Sequence, residues 1–410
     1  MSSRKSSLFS IFFTFAVDNL GATIVFPIFA PLFLDPRYHL LGEESLLSHK
    51  MVVLGWFLAI YPLMQFIFAP LLGGYADHAG RRFTLAVTTT LTCIGFFVCS
   101  LSIHYNHLIF LFLGRMIMGI GASNLPICMS VLSDLSESSQ QKVKYFSYGS
   151  ALAGATFVLG PLLGGKLSDH TLNPFFTIAS PMWIGGILAF INTLFIIGAF
   201  KETIKEETKG QYDLLKGIHN IQQAIQTKGM RRLYIVYFLY LIAWNMFFQF
   251  MPAYAAEKFH IGTSKIGDIA ALMGLCWIFG SGVLSKVFHH WNNPRYALAV
   301  CFFIFAIFTY FIKYQSSLIN FTVLVGFSTI VSGVIWPLCT GVISNSVTEK
   351  MQGKVLGLSQ SVLSLTMILS AIFGGYFLEF DLNLPFTLAA IALILAALWI
   401  LTHSGKHSKI

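Results

Sequence analysis

Twelve runs of apolar residues, separated by short polar stretches, order this chain of 410 residues. Each is at least about the 20 residues that an α-helix needs to cross a bilayer core. The pattern predicts spans over 8–34, 51–75, 83–104, 107–134, 143–168 and 178–200. After a polar segment the runs resume over 231–257, 264–288, 295–314, 319–346, 353–379 and 384–403. The expected organisation is therefore a six-helix half over 1–200, a linker over 201–230 and a second six-helix half over 231–410. Within the linker, Leu214, Leu215, Ile218, Ile221 and Ile225 recur at helical spacing, which predicts an amphipathic helix lying on the membrane surface.

Charge changes the picture by orienting the spans. With both termini inside, 19 of the 26 Lys and Arg residues fall in cytoplasmic segments, six fall outside, and Arg115 is left within a span. That asymmetry follows the positive-inside rule and predicts cytoplasmic termini. The net charge of +9 is spread between apolar runs, so it reports topology and no nucleic-acid surface. Only 10% of residues are charged and 56% are hydrophobic, with a mean hydropathy of +0.72; a soluble domain carries about 25% charged residues. The first apolar stretch is long enough to span and has no small-residue cleavage site, so it reads as a helix that stays. The six cysteines lie singly in apolar runs, without metal-ligand or disulfide spacing. No phosphate-binding G-x-x-x-x-G-K-[ST] loop, nucleophile elbow or zinc-protease motif occurs, so neither ATP-driven transport nor an enzyme is expected.

The halves repeat. PICMSVLSD from Pro126 aligns without gaps on PLCTGVISN from Pro337, with Pro, Cys, Val and Ser coinciding at an offset of 211 residues. The aligned pieces occupy the fourth and tenth spans, as duplication of a six-helix unit requires.

Between the second and third spans the chain reads GGYADHAGRR. A turn this short needs glycine where backbones approach, and paired charges at the membrane edge can latch neighbouring helices. Gly73, Asp77, Gly80, Arg81 and Arg82 resemble the loop signature of the major facilitator superfamily, with His78 where that family usually carries Arg or Lys. Arg115, Gly119 and Gly121 match its R-x-x-x-G-x-G signature in the fourth span. Gly160, Pro161, Gly164 and Gly165 resemble the fifth-span motif of its antiporters, with Thr156 in place of an opening glycine. The first span, DNLGATIVFPIFAP from Asp18, is similar to that of tetracycline-efflux and related drug/proton antiporters. The resemblance implies an all-α polytopic membrane protein: twelve transmembrane helices in two pseudo-symmetric six-helix halves, the major facilitator fold. It also implies a cytoplasmic latch in which Asp134 partners Arg81. The second-half counterpart of the loop, GVLSKVFHH from Gly282, carries Lys286 where the acid would be.

Asp18 and Arg115 are the residues to explain, because an ionisable side chain at bilayer depth is expensive and functional by default. At 1.5 Å per residue, Asp18 lies about 16 Å from the inner face and Arg115 about 18 Å. The two are therefore expected to meet. Either they are a permanent pair that neutralises two awkward charges, or Asp18 exchanges a proton as the helices rearrange. The second reading is favoured, and the seventh span, around Ala243 and Asn245, has no acid to match. Asn124 lies nine residues from Arg115, about 180° around an ideal helix, and is left out of the site.

Polar and aromatic residues at i, i+4 spacing mark candidate cavity faces: Tyr61 with Gln65, Asn245 with Gln249, Trp336 with Thr340, and Gln360 with Ser364. Asn19, beside Asp18, joins them. Such a cavity is aromatic and nearly neutral, which suits a small amphiphilic organic molecule. The expected protein is a proton-coupled exporter working as a monomer in the lipid bilayer, the inner membrane if bacterial. Its energy source is the proton gradient and it needs no cofactor. A proton-coupled importer, a uniporter and a non-transporting receptor are the rivals.

Overall fold

The computed structural model describes residues 3–41, 46–204, 222, 230–289, 293–346 and 349–402. The amphipathic helix expected over Leu214–Ile225 lies outside the described residues. Among the described residues, twelve helices are long and apolar enough to span a membrane: Arg4–Leu34, Leu47–Ala79, Arg81–His104, Leu108–Asp134, Ser139–Leu167 and Ser180–Ala199. They continue with Met230–Phe259, Thr263–Phe288, Pro294–Tyr314, Leu318–Asn345, Gly357–Phe380 and Leu384–Leu401. The apolar runs thus locate every span, with ends displaced by no more than about one helical turn.

Among the described residues, two spans are broken by turns, both beside proline, while the eighth keeps its course through a π-helical segment, Gly280–Leu284. The first span is Ser3–Thr23 followed by Phe26–Leu34, with Pro27 in the opening turn of the second piece. The fourth is Leu108–Gly121 followed by Leu125–Asp134, with Pro126 in the opening turn. Proline has no N–H for the carbonyl four residues earlier and its ring crowds that carbonyl. For Pro126 that carbonyl belongs to Ala122, and the Gln65 Nε2 donates to it instead at 3.1 Å. The repeat partner behaves differently. Pro337 lies inside the continuous helix Leu318–Asn345, and at the offset of 211 residues buried Ile335 stands where the first half has Asn124.

By contacts the chain gathers into two compact units, residues 1–216 with 255–271, and residues 217–254 with 272–410. In the first, Ile11, Phe15, Leu85, Ile127, Val131 and Ile196 close an apolar core near one end of the helices. Within the same unit Lys166 donates to Asp268 at 2.7 Å and to Ser264 at 2.9 Å. The second unit is aromatic inside: Trp244, Phe247, Phe305 and Phe386 pack ring on ring, and the Tyr240 hydroxyl bonds that of Ser332 at 2.9 Å. Outward, both units expose large apolar side chains such as Ile109 and Ile319, each 74% exposed. A water-soluble surface does not sustain that; a hydrocarbon solvent does.

Candidate functional site

Asp18 and Arg115, each inside an apolar span, both lie in the first unit. Asp18 belongs to the helix Ser3–Thr23, five residues before its break. The Asn124 Nδ2 donates to Asp18 Oδ2 at 3.1 Å. Asn124 is fully buried, whereas Asp18 is only partly so. The Asn124 Oδ1 is buried without a partner.

Arg115 does not pair with Asp18, contrary to the sequence expectation. Its guanidinium carbon lies 4.1 Å from the Tyr61 ring centroid and 5.1 Å from that of Phe29. The guanidinium is therefore held by two aromatic faces, a cation–π arrangement that gains strength away from water. Its Nε and Nη1 are buried without hydrogen-bond partners. Tyr61 stands within electrostatic reach of both charges, and the Gln65 Nε2 approaches its hydroxyl at 3.5 Å. Depth arithmetic places the two charges at similar levels, but azimuth decides contact. The break at 122–124 resets the helical phase, so Asn124 turns toward Asp18 while Arg115 addresses the second span. Pro126 is the sequence signal for that reset, since an ideal helical wheel does not survive it. Asn19 is spent locally, its Nδ2 donating to the Phe15 carbonyl at 2.7 Å.

A second cluster occupies the turn between the second and third spans. Gly80 has φ +97° and ψ 143°, a region open to glycine alone. Arg81 forms an ion pair with Asp134, the last residue of the fourth span, and lies 3.8 Å from Asp77. The Arg82 guanidinium donates to the Ile197 carbonyl. Sequence reasoning missed Glu202, which follows the sixth span and accepts from the Arg81 and Arg82 main-chain N–H groups at 3.2 and 3.0 Å. Its only sequence signal is a single acid directly after an apolar run. Gly73 packs toward the Pro126 ring, which a Cβ would meet at 4.0 Å.

The glycine motifs are sites of close backbone approach. A Cβ at Gly119 would lie 2.7 Å from the Tyr61 carbonyl oxygen, and one at Gly121 would lie 2.5 Å from the Thr92 nitrogen. Gly160 and Gly164 receive the broken turn of the first span at Thr23 and Ile24. Gly165 packs against Thr263 and Gly267, and Gly267 in turn meets the Pro161 carbonyl. At Thr156, where an opening glycine is absent, the main-chain carbonyl accepts from the Thr23 Oγ1 at 3.1 Å.

In the second unit the expected cavity residues serve several ends. Asn245 donates to Thr366 Oγ1 at 3.1 Å and Gln249 to the Met367 carbonyl at 3.2 Å, so both tie the seventh span to the eleventh. The Gln249 Oε1 remains buried without a partner. Trp336 meets Tyr237 and Trp277 edge-on, with ring centroids 6.3 and 6.4 Å away. Thr340 bonds its own helix at Trp336, and Gln360 is exposed.

Twelve apolar helices in two units, with a charged cluster at bilayer depth, define an integral multi-pass membrane protein. The chain belongs to the Major Facilitator Superfamily, whose sequence profile matches residues 11–312 and 233–409; it is a transporter, not an enzyme. It is 25% identical over 360 residues to the tetracycline resistance protein, class B, of Escherichia coli, covering 86% of this chain and 84% of that one. It is 25% identical over 414 residues to the quinolone resistance protein NorA of Staphylococcus aureus, covering 98% and 97% of the two chains. Among solved structures, the D-xylose–proton symporter superposes with a TM-score of 0.75 at 15% identity, over 97% of each chain. The human organic anion transporter MFSD10 does so with a TM-score of 0.68 at 18% identity, over 98% of this chain and all of that one.

Proposed function

We propose that this protein exports small amphiphilic organic molecules in exchange for protons, by alternating access, with both termini in the cytoplasm and the proton gradient as its energy source. The observation that carries the reading is Asp18: a partly accessible carboxylate at bilayer depth, held by one neutral amide from a helix break. A carboxylate is favoured by an N–H donor and by a nearby cation, and loses that favour in apolar surroundings. Re-aiming Leu125–Asp134 withdraws the Asn124 donor, and Asp18 then takes a proton. Movement of Arg115 off its aromatic seat toward Asp18 drives the proton out again. The two helix arrangements thereby differ by one proton. The substrate class is supported by the aromatic setting of Tyr61 and Phe29 and by relatives named for resistance to tetracycline and to quinolones. The loop cluster around Arg81 and Asp134 serves as the conformational latch. The protein works as a monomer, in the inner membrane if its source is bacterial.

The test is transport of tetracycline and of a fluoroquinolone in proteoliposomes with an imposed pH gradient. Asp18→Asn is expected to retain binding and lose gradient-driven transport. Substrate movement indifferent to the gradient in the unmodified protein would overturn the antiport reading, and accumulation in the same direction as the protons would make it an importer.

A further inference from the structure

Glu202 does more than cap a helix. Beyond the two N–H groups of Arg81 and Arg82, it accepts from its own following turn, Thr203 N at 2.9 Å and Ile204 N at 3.1 Å. Four main-chain donors therefore converge on one exposed carboxylate. Two of them open the third span, whose first N–H groups have no partner within the helix and whose N-cap, Gly80, has no side chain to offer. Arg82 returns the tie in the opposite sense, its guanidinium reaching the Ile197 carbonyl in the last turn of the sixth span. The strap that carries Glu202 is itself anchored: Lys201 N donates to Ser7 Oγ and Ser6 Oγ to the Ala199 carbonyl, each at 3.1 Å. Glycine is required at the turn by its φ of +97°, and the Glu202 carboxylate lies close enough that an added Cβ would meet it at 2.8 Å.

A helix does not need so distant a cap. The ninth span, the counterpart of the third in the other half, is capped by its neighbour: Asn293 Oδ1 accepts from Arg295 N at 3.1 Å. Reaching across about 120 residues of chain to do the same work has another consequence. It fixes the main chain of Arg81, the residue whose guanidinium meets Asp134 and Asp77.

We infer that Glu202 is a positioning residue of the latch: by clamping Arg81 and Arg82 it links the segment leaving the first half to the Arg81–Asp134 pair. The inference rests on the latch reading of this loop, and two measurements keep the two separable. The first is hydrogen exchange of the full-length protein in lipid nanodiscs. Glu202→Ala is expected to raise exchange at the Arg81 and Arg82 amides at least tenfold, with Glu202→Gln, which keeps an acceptor oxygen, restoring most of the protection. Unchanged exchange in Glu202→Ala would overturn the clamp whatever the protein transports. The second is a double-mutant cycle on tetracycline transport. Glu202→Ala is expected to cost transport in the unmodified background and to change it less than twofold when Asp134→Asn is already present. Defects that multiply in full would overturn the role in the latch, because a purely structural loss does not depend on Asp134.

Discussion

Asn124 is one amide, yet it decides what kind of site Asp18 occupies. A hydrogen bond to a charged group contributes about 1.5–3 kcal/mol, so Asn124→Leu is expected to lower gradient-driven transport roughly ten- to a hundredfold in a protein that still folds. Flux assays alongside thermal unfolding check this. Gly80→Ala acts through backbone strain instead. Its φ of +97° costs a non-glycine residue about 1–3 kcal/mol, and the melting temperature is expected to fall by several degrees. Glu202 adds a pH signature. Burial works to raise its carboxyl, but the N–H groups of Arg82, Ile204, Thr203 and Arg81 outweigh that and hold it below the ordinary glutamate range. With the folded value below the unfolded one, the contribution is complete above the unfolded value of about 4.3 and fades as pH falls through the folded one. Melting temperatures taken down to pH 3 are expected to fall less steeply for Glu202→Gln than for the unmodified chain. At this scale the sequence made Asp18 and Arg115 legible as charges in oil. It hid their partners, since a pair needs azimuth as well as depth, and azimuth is lost across a break.

Elements were legible because hydrocarbon demands that every backbone group be satisfied within its own segment. Apolar length alone therefore finds a span. What length does not find is an interruption, and here one duplicated proline gives a break in the fourth span and none in the tenth. The residues before it differ, Ser123 and Asn124 in one copy and Val334 and Ile335 in the other. The glycine motifs were legible as small residues, but their partners needed coordinates. Gly164 meets the Ile24 main chain with no room for a side chain, whereas Gly198 has nothing within 4 Å of an added Cβ. Gly164→Val is expected to abolish transport and reduce folded yield, and Gly198→Val to be tolerated. Size-exclusion chromatography of the detergent-solubilised variants reads this directly.

For the whole molecule, two copies of one plan carry different chemistry. At the repeat offset, Arg115 corresponds to Gly326 and Asn124 to Ile335, so proton handling in the proposed cycle belongs to one half. The orientation argued from Lys and Arg is testable on the exposed loops. Five of the six native cysteines are buried and all are free, which keeps the labelling background low. Leu172→Cys is expected to react with a membrane-impermeant thiol reagent on intact cells, and Gln140→Cys only after the membrane is opened. The reverse pattern would invert the topology.

The ten-residue helix Leu125–Asp134 has Asn124 at its head and Asp134 at its foot, so it is a lever about 15 Å long. One end touches Asp18 and the other touches Arg81. A rigid lever cannot release one contact without disturbing the other, so the two clusters are mechanically one. Chain length at 122–124 sets its angle. Deleting Ser123 would turn the helix by about 100°, swinging both ends out of register while leaving every other side chain chemically intact.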